Sequence, residues 1–250
     1  MARVNFRRMM TAVAFAAAVV GGMAAAQPAG AQPKSVIELF TSQGCSSCPP
    51  ADHLIADYAR RSDVLALSYN VDYWDYLGWK DTLGSHDNSQ RQQAYSAGRG
   101  DGDVYTPQAV IDGRTYVEGN SRGQIDSALA KQSGSLSVPI GLSLSGDAVT
   151  VNIGASSGMP HATLWLVMYD RSVTVPIARG ENSGKTITYT NVVRKLRPIA
   201  MWTGAAMSVS LARSEMEQAK VDRCAVLLQT EVKGGLPGPI IGAAAIDAGP

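Results

Sequence analysis

Cys45 and Cys48 are the residues whose type and spacing speak most directly of chemistry. Two thiols three positions apart can close a disulfide on themselves or act in turn on the disulfide of a substrate. The head of a helix suits them, because its unpaired N–H groups and the positive end of its dipole stabilise a thiolate. In this reading Cys45, just before the helix, is the exposed nucleophile, and Cys48, one turn in, is buried and resolves the mixed disulfide. Zinc ribbons also use Cys-x-x-Cys, but they need a second pair. The one further cysteine, Cys224, opens the apolar run Cys224–Leu228 and is read as buried and inert. The alternative for it is a redox partner of Cys45. His53 follows Cys48 by five residues, which on a helix turns it roughly 140° away, so it is read as a solvated histidine. Asp72, Asp75 and Asp81 offer carboxylates to a cation, with nothing in the spacing to fix their geometry.

The surrounding pattern must place the two thiols. Val36–Phe40 reads as a short buried strand, 41–44 as a loop, and Ala51–Arg61 as a helix with Leu54, Ile55 and Tyr58 at helical spacing. Pro49 and Pro50 are tolerated in its first turn, where their missing N–H groups would be unpaired anyway. Val64–Val71 is a second strand. Residues 72–85 form a loop with Tyr73, Trp74, Tyr76 and Trp79, read as a lid or groove over the cysteines or as satellite core. Asp87–Ala97 is helical, Thr106–Ile111 enters a third strand, Asp112-Gly113 turns the chain, and Arg114–Glu118 returns as a fourth. A helix over Ser121–Lys131, capped by Ser121, closes the unit. In redox folds of this order a cis-proline lies beside the cysteines, and its neighbour's backbone pairs with the substrate chain. Thr106-Pro107 is the candidate, since cis costs an X–Pro bond only about 0.5–1 kcal/mol.

After Ser133 the composition shifts to Val, Thr, Ser and Gly in short alternating runs. Strands are expected at Val138–Leu144, Ala148–Ile153, Ala162–Tyr169, Ser172–Ala178, Lys185–Leu196, Ala205–Leu211 and Ala225–Val232, with a last one near Ile240. This spacing points to an all-β sandwich. Arg179–Gly184 lacks the Lys-Ser/Thr of a phosphate loop and is read as a long hairpin turn, packed against the first unit.

The first residues read as an address. Arg3, Arg7 and Arg8 precede an uncharged Ala/Val-rich run of twelve, Met9–Val20, and Ala24–Ala26 and Ala29–Ala31 offer small residues for cleavage. That is the layout of a secretory signal peptide over 1–31, too short and weakly apolar for a permanent span of roughly 20 residues. Either the general or the twin-arginine export route is compatible with it. Cleavage leaves 19 basic against 21 acidic residues, in an oxidising compartment where a disulfide persists. Near-neutral charge without a basic stripe speaks against nucleic-acid binding, and a hydrophobic fraction of 45% speaks against disorder and against a polytopic membrane protein.

The run Glu38–Asp52, with Val71–Asp75, Tyr105–Gln108 and Arg179–Asn182, resembles a secreted bacterial family, the domain of unknown function numbered 1223, over nearly the whole mature chain. The resemblance implies a thioredoxin-like fold and no established substrate. Where thioredoxins carry Trp before the first cysteine this chain has Gly44, and Ser46-Ser47 replace their Gly-Pro. Thioredoxins also keep a buried acid behind the second cysteine. Glu38 lies one residue out of register with it and is either the acceptor of the Cys48 proton or a hydrogen-bonded strand residue.

The expected architecture is therefore an α/β thioredoxin-like domain over 32–133 followed by an all-β sandwich-like domain over 134–250. The expected function is an exported, periplasmic or secreted thiol–disulfide oxidoreductase without an organic cofactor. Its site would comprise Cys45, Cys48, Thr106, Pro107 and Glu38. It would act on a protein or small thiol or disulfide, with a redox partner the sequence does not name, and keep no membrane span after signal cleavage. The alternatives are an envelope binding module with a structural disulfide, and a copper-binding chaperone.

Overall fold

Strands buried on both faces read as continuous apolar runs, and β1 (Ser35–Thr41) and β2 (Val64–Asn70) are buried at every position. They pair in parallel, with Ile37 opposite Ala66 and Phe40 opposite Tyr69. These elements belong to a computed structural model that describes residues 32–247; the signal segment read at 1–31 lies outside the described residues. The crossover helix α1 (Pro49–Ala59) sets Leu54, Ile55 and Tyr58 against Ile37, Leu39 and Ala66. On the other face α2 (His86–Arg99) brings Tyr95 to Val36, Phe40 and Tyr69. The Ser85 hydroxyl caps α2 by accepting from Asn88 N at 3.2 Å, and Gly100, with φ of 76°, ends it.

β3 (Gln108–Ile111) runs antiparallel to β1, and Asp112-Gly113, both with positive φ, turns it into β4 (Thr115–Glu118). α3 (Arg122–Lys131) adds Ile125, Ala128 and Leu129 to the core beneath α1.

The remaining described residues supply strands and one short helix. β5 (Ile140–Ser145), β6 (Ala148–Ile153) and β9 (Met207–Ala212) form a three-stranded sheet. β7 (Ala162–Pro176), β8 (Thr186–Trp202), β10 (Arg223–Val232) and β11 (Leu236–Asp247) join the first half in one sheet, ordered β11-β10-β7-β8-β2-β1-β3-β4. The helix, α4 (Ser214–Ala219), falls between the strands expected at Ala205–Leu211 and Ala225–Val232.

This corrects the expected fold class of an α/β thioredoxin-like unit followed by a separate all-β sandwich. The described residues are mostly β, with 44% strand against 20% helix, and a single mixed eight-stranded sheet passes through both halves. The seam is at β8. Its only register pair with β2 is Ser68 with Val192, and side chains complete the join. Asn191 Nδ2 donates to the Ala66 carbonyl at 2.8 Å, and Ser68 Oγ donates to the Thr190 carbonyl at 2.8 Å. Asn191 takes φ of 49° close to a register shift at Met168/Tyr169, a local irregularity in the β7–β8 ladder where β8 meets β2. Two layers do face each other farther on, with Leu142, Val149 and Val151 against Leu164, Leu166, Val226 and Leu228. The larger of those layers, however, is the shared sheet. β7 also runs unbroken through Asp170-Arg171, where the sequence suggests two strands, because the β7–β8 hairpin continues past these polar residues to a further buried cluster of Val175, Ile187, Tyr189 and Val192. Among the described residues no helix is long and apolar enough to cross a membrane.

Candidate disulfide site

Beyond Thr41 the chain turns back on itself before α1 begins. Gly44 N donates to Ser42 Oγ at 3.1 Å, Cys45 N to the Ser42 carbonyl at 3.2 Å, and Cys48 N to the Cys45 carbonyl at 3.3 Å. Cys48 already has helical dihedrals as the N-cap, and its carbonyl accepts from Ala51 N and Asp52 N. The turn sets the Cα atoms of Cys45 and Cys48 5.4 Å apart, and the two sulfurs are joined in a disulfide. Cys224 is a free thiol in the core between the two sheets, and burial pushes its pKa to about 12.

Cys45, expected to be exposed, is only 2% exposed. Ser46 and Ser47 carry the turn's exposed surface, with Ser47 Oγ 3.4 Å from Cys45 Sγ. Three segments pack around the cysteine turn. The first is the Thr106-Pro107 loop, whose peptide bond is cis and whose Thr106 carbonyl oxygen lies 3.7 Å from Cys45 Sγ. The second is the aromatic loop. Trp74 Nε1 donates to Thr106 Oγ1 at 2.8 Å, and Trp74 packs so close to Gly44 that a Cβ there would sit 2.9 Å from its own Cβ. Trp79 Nε1 donates to Gln43 Oε1 at 2.8 Å, and Gln43 N donates to Asp81 Oδ2 at 2.7 Å. The third is the β7–β8 turn. Asn182, fully buried, donates from Nδ2 to the carbonyls of Gln43 (2.9 Å) and Cys45 (2.8 Å), and Glu181 Oε2 accepts from Ser46 N at 3.3 Å.

Behind the cysteines lies Asp52, one helical turn after Cys48 and on the same face of α1. Its Oδ1 accepts from Thr41 Oγ1 at 2.7 Å, while Oδ2, with Asn70 Oδ1 and the Tyr189 hydroxyl, is buried without a hydrogen-bond partner among the described residues. Burial raises the Asp52 carboxyl from 3.8 to about 8, against the Thr41 hydrogen bond that favours the charged form and with a further push from Asp81. Burial likewise raises Asp81, although Gln43 N, Leu83 N, Gly84 N and Asn70 Nδ2 all donate to it.

Glu38 is placed elsewhere. Side chains alternate along β1, so Glu38 shares the α2 face with Val36 and Phe40, while Ile37 and Leu39 face α1. There it pairs with Arg91 (Nε–Oε1 2.7 Å, Nη2–Oε2 3.1 Å) and accepts from the Tyr95 hydroxyl. Gln229 of β10 joins the same network, its Oε1 accepting from Arg91 at 3.0 Å. Its carboxylate therefore serves a buried ion pair on the far side of the sheet from α1. His53 is exposed on α1, away from the buried Cys48 and Asp52. Asp72 faces Ser89 and His86, Asp75 accepts from Asp81 N, and Asp81 is bound to backbone amides. Among the described residues no group of three His, Cys, Asp or Glu converges on a common point.

The aromatic loop with Trp74 stands over the cysteine turn and the 179–184 turn packs against it, as two of the sequence readings had them, whereas Asp52 and the individual contacts of Glu181 and Asn182 were not foreseen. Only Asp52 carried a local signal, its i+4 spacing from Cys48. The comparisons agree with a shared architecture. A crystal structure of a protein from Agrobacterium tumefaciens is 40% identical, with a TM-score of 0.78, covering 89% of this chain and 96% of that one. HBP35 of Porphyromonas gingivalis has a similar fold at 12% identity and a TM-score of 0.59, covering 86% and 75%. No curated protein matches the sequence. The profile described as protein of unknown function (DUF1223) matches residues 36–229, through both halves of the shared sheet, and the chain belongs to that family.

Proposed function

We propose that the chain is an exported thiol–disulfide oxidoreductase in which Cys45 attacks and Cys48 resolves. One observation carries the reading: the Cys45–Cys48 disulfide heads α1 with a buried carboxyl, Asp52, one turn behind it and one oxygen of that carboxyl unpartnered. In the reduced protein the Cys45 thiolate attacks one sulfur of a substrate disulfide and displaces the other, which takes a proton. Asp52 in its ionised form then accepts the Cys48 proton, and the Cys48 sulfur displaces the second substrate thiol from Cys45. The protein dithiol is thereby oxidised by two electrons and the substrate disulfide reduced to two thiols; run backward, the cycle oxidises a substrate. An external dithiol restores the reduced form. A carboxyl titrating near 8 holds and releases a proton at working pH, as this step requires. The Thr106 carbonyl, beside Cys45 Sγ, lies where an extended substrate backbone would pair. Export rests on the pattern of Arg3, Arg7, Arg8 and the run 9–20.

The test is insulin reduction with dithiothreitol as electron source. The parent should accelerate it and Cys45→Ser should not; equal rates refute the reading. Cys48→Ala should accumulate mixed disulfides with its substrates when expressed in a periplasm. The second reading, a binding module with a structural disulfide, draws on the 2% exposure of Cys45 and the Asn182 clamp. It requires a potential below about −300 mV and no trapped partner.

A further inference from the structure

The donors open to a Cys45 thiolate are few. Pro49 and Pro50 fill the first two positions of α1 and bring no N–H. Ala51 N and Asp52 N are bound to the Cys48 carbonyl, and Cys48 N to that of Cys45. Ser46 N–H, Ser47 N–H and the Ser47 hydroxyl remain. Of these, Ser46 N already donates to Glu181 Oε2 at 3.3 Å, so a carboxylate occupies the amide adjacent to Cys45.

Glu181 is held there by its neighbours. Asn182 binds the Gln43 and Cys45 carbonyls, and Lys185 Nζ donates to Asn182 Oδ1 at 2.8 Å. Gly180, with φ of 76°, rests against Trp79, where a Cβ would come within 3.1 Å of the Trp79 Cβ. The turn also carries Lys185 and Arg179, whose positive charges offset part of the field, and Asp52 lies behind Cys48. Glu181 is the charged group bonded to the amide next to Cys45.

We propose that Glu181, delivered by the β7–β8 turn, opposes the Cys45 thiolate and so holds the Cys45–Cys48 pair toward the electron-donating end of its range; this rests on the oxidoreductase reading above. A less stabilised thiolate means a less stable reduced form, which favours the disulfide and makes the dithiol the stronger reductant. The C-terminal half of the chain then sets the poise of cysteines carried by the N-terminal half.

Glu181→Gln tests this, since it keeps the amide's acceptor, removes the charge and alters only an exposed side chain. Parent and variant are equilibrated with dithiothreitol or glutathione buffers, in which two buffer thiols give two electrons and two protons to the disulfide. Alkylation of Cys45 in the reduced proteins is followed against pH. The variant should show an equilibrium constant for disulfide formation about three- to tenfold smaller, a tenfold change being 29.6 mV. Its alkylation profile should move to lower pH, and both differences should shrink in 0.5 M salt. Identical constants and profiles overturn the assignment of Glu181. Failure of the parent to reduce insulin overturns the oxidoreductase reading instead, and leaves a shift in the constant standing as evidence for Glu181's effect on the disulfide.

Discussion

Asp52→Asn should stabilise the oxidised protein at neutral pH and flatten its pH dependence. The folded chain holds this carboxyl neutral up to about 8, while the unfolded chain releases the proton near 3.8. Between those values the unfolded state binds fewer protons, so the stability contributed by Asp52 falls as pH rises and levels off above about 8. From 3.8 to pH 7 is about three units at ~1.36 kcal/mol each, a cost of ~4 kcal/mol at pH 7. The amide of the variant keeps an oxygen for the Thr41 hydroxyl but sets an N–H donor where Oδ2 had no partner, which returns ~1–3 kcal/mol. The net gain should be ~1–3 kcal/mol at pH 7 and should vanish or reverse at pH 4. Urea unfolding at several pH values with the disulfide intact reads this as a shift of midpoint at constant slope. Asp81 and Asp112, also raised by burial, give both proteins the same trend, which cancels in the difference. Parallel stability–pH curves for parent and variant would show that folding does not raise the Asp52 carboxyl, leaving a carboxylate too weakly basic to take the Cys48 proton.

Two further outcomes follow from the geometry. Arg91→Met leaves Glu38 buried and unpaired and should cost ~3–5 kcal/mol in urea unfolding, with part regained in the Arg91→Met/Glu38→Gln double variant. The alkylation rate of Cys45 should stay at the parent value in both; a change there would return Glu38 to the redox site. After reduction, Cys224 should react with a disulfide reagent only once the protein unfolds, because it is buried in the core between the two sheets with its pKa raised to about 12. A crosslink from Cys224 to Cys45 or Cys48 in the oxidised protein would contradict that separation.

What could be read locally was read. β1, α1 and β2 follow from apolar runs bounded by turn residues. The Cys45–Cys48 bond follows from three-residue spacing at a helix start, and the Asp112-Gly113 turn from residues that tolerate positive φ. The fold class departs from expectation where β8 joins β2 across a long sequence separation. Asn191 reads as a polar interruption in a strand, and nothing near it says that its amide will reach Ala66, 125 positions away, and merge two sheets into one. Of the two readings of Glu38 the structure takes the hydrogen-bonded strand residue, a choice the sequence left open because a one-residue step along a strand reverses the face.

The sequence alone thus determined the thiol pair, the helix that carries it, the cis Thr106-Pro107 candidate beside it and the family, because each is written in residue types at short spacing. Tertiary structure alone decided which acid stands behind Cys48, how deeply Cys45 is covered, and that Glu181 and Asn182, 137 positions or so along the chain, complete the site. Those depend on where β8 meets β2 and on the pairing of distant strands, where burial and hydrogen bonding between remote segments, rather than local propensity, set the energy.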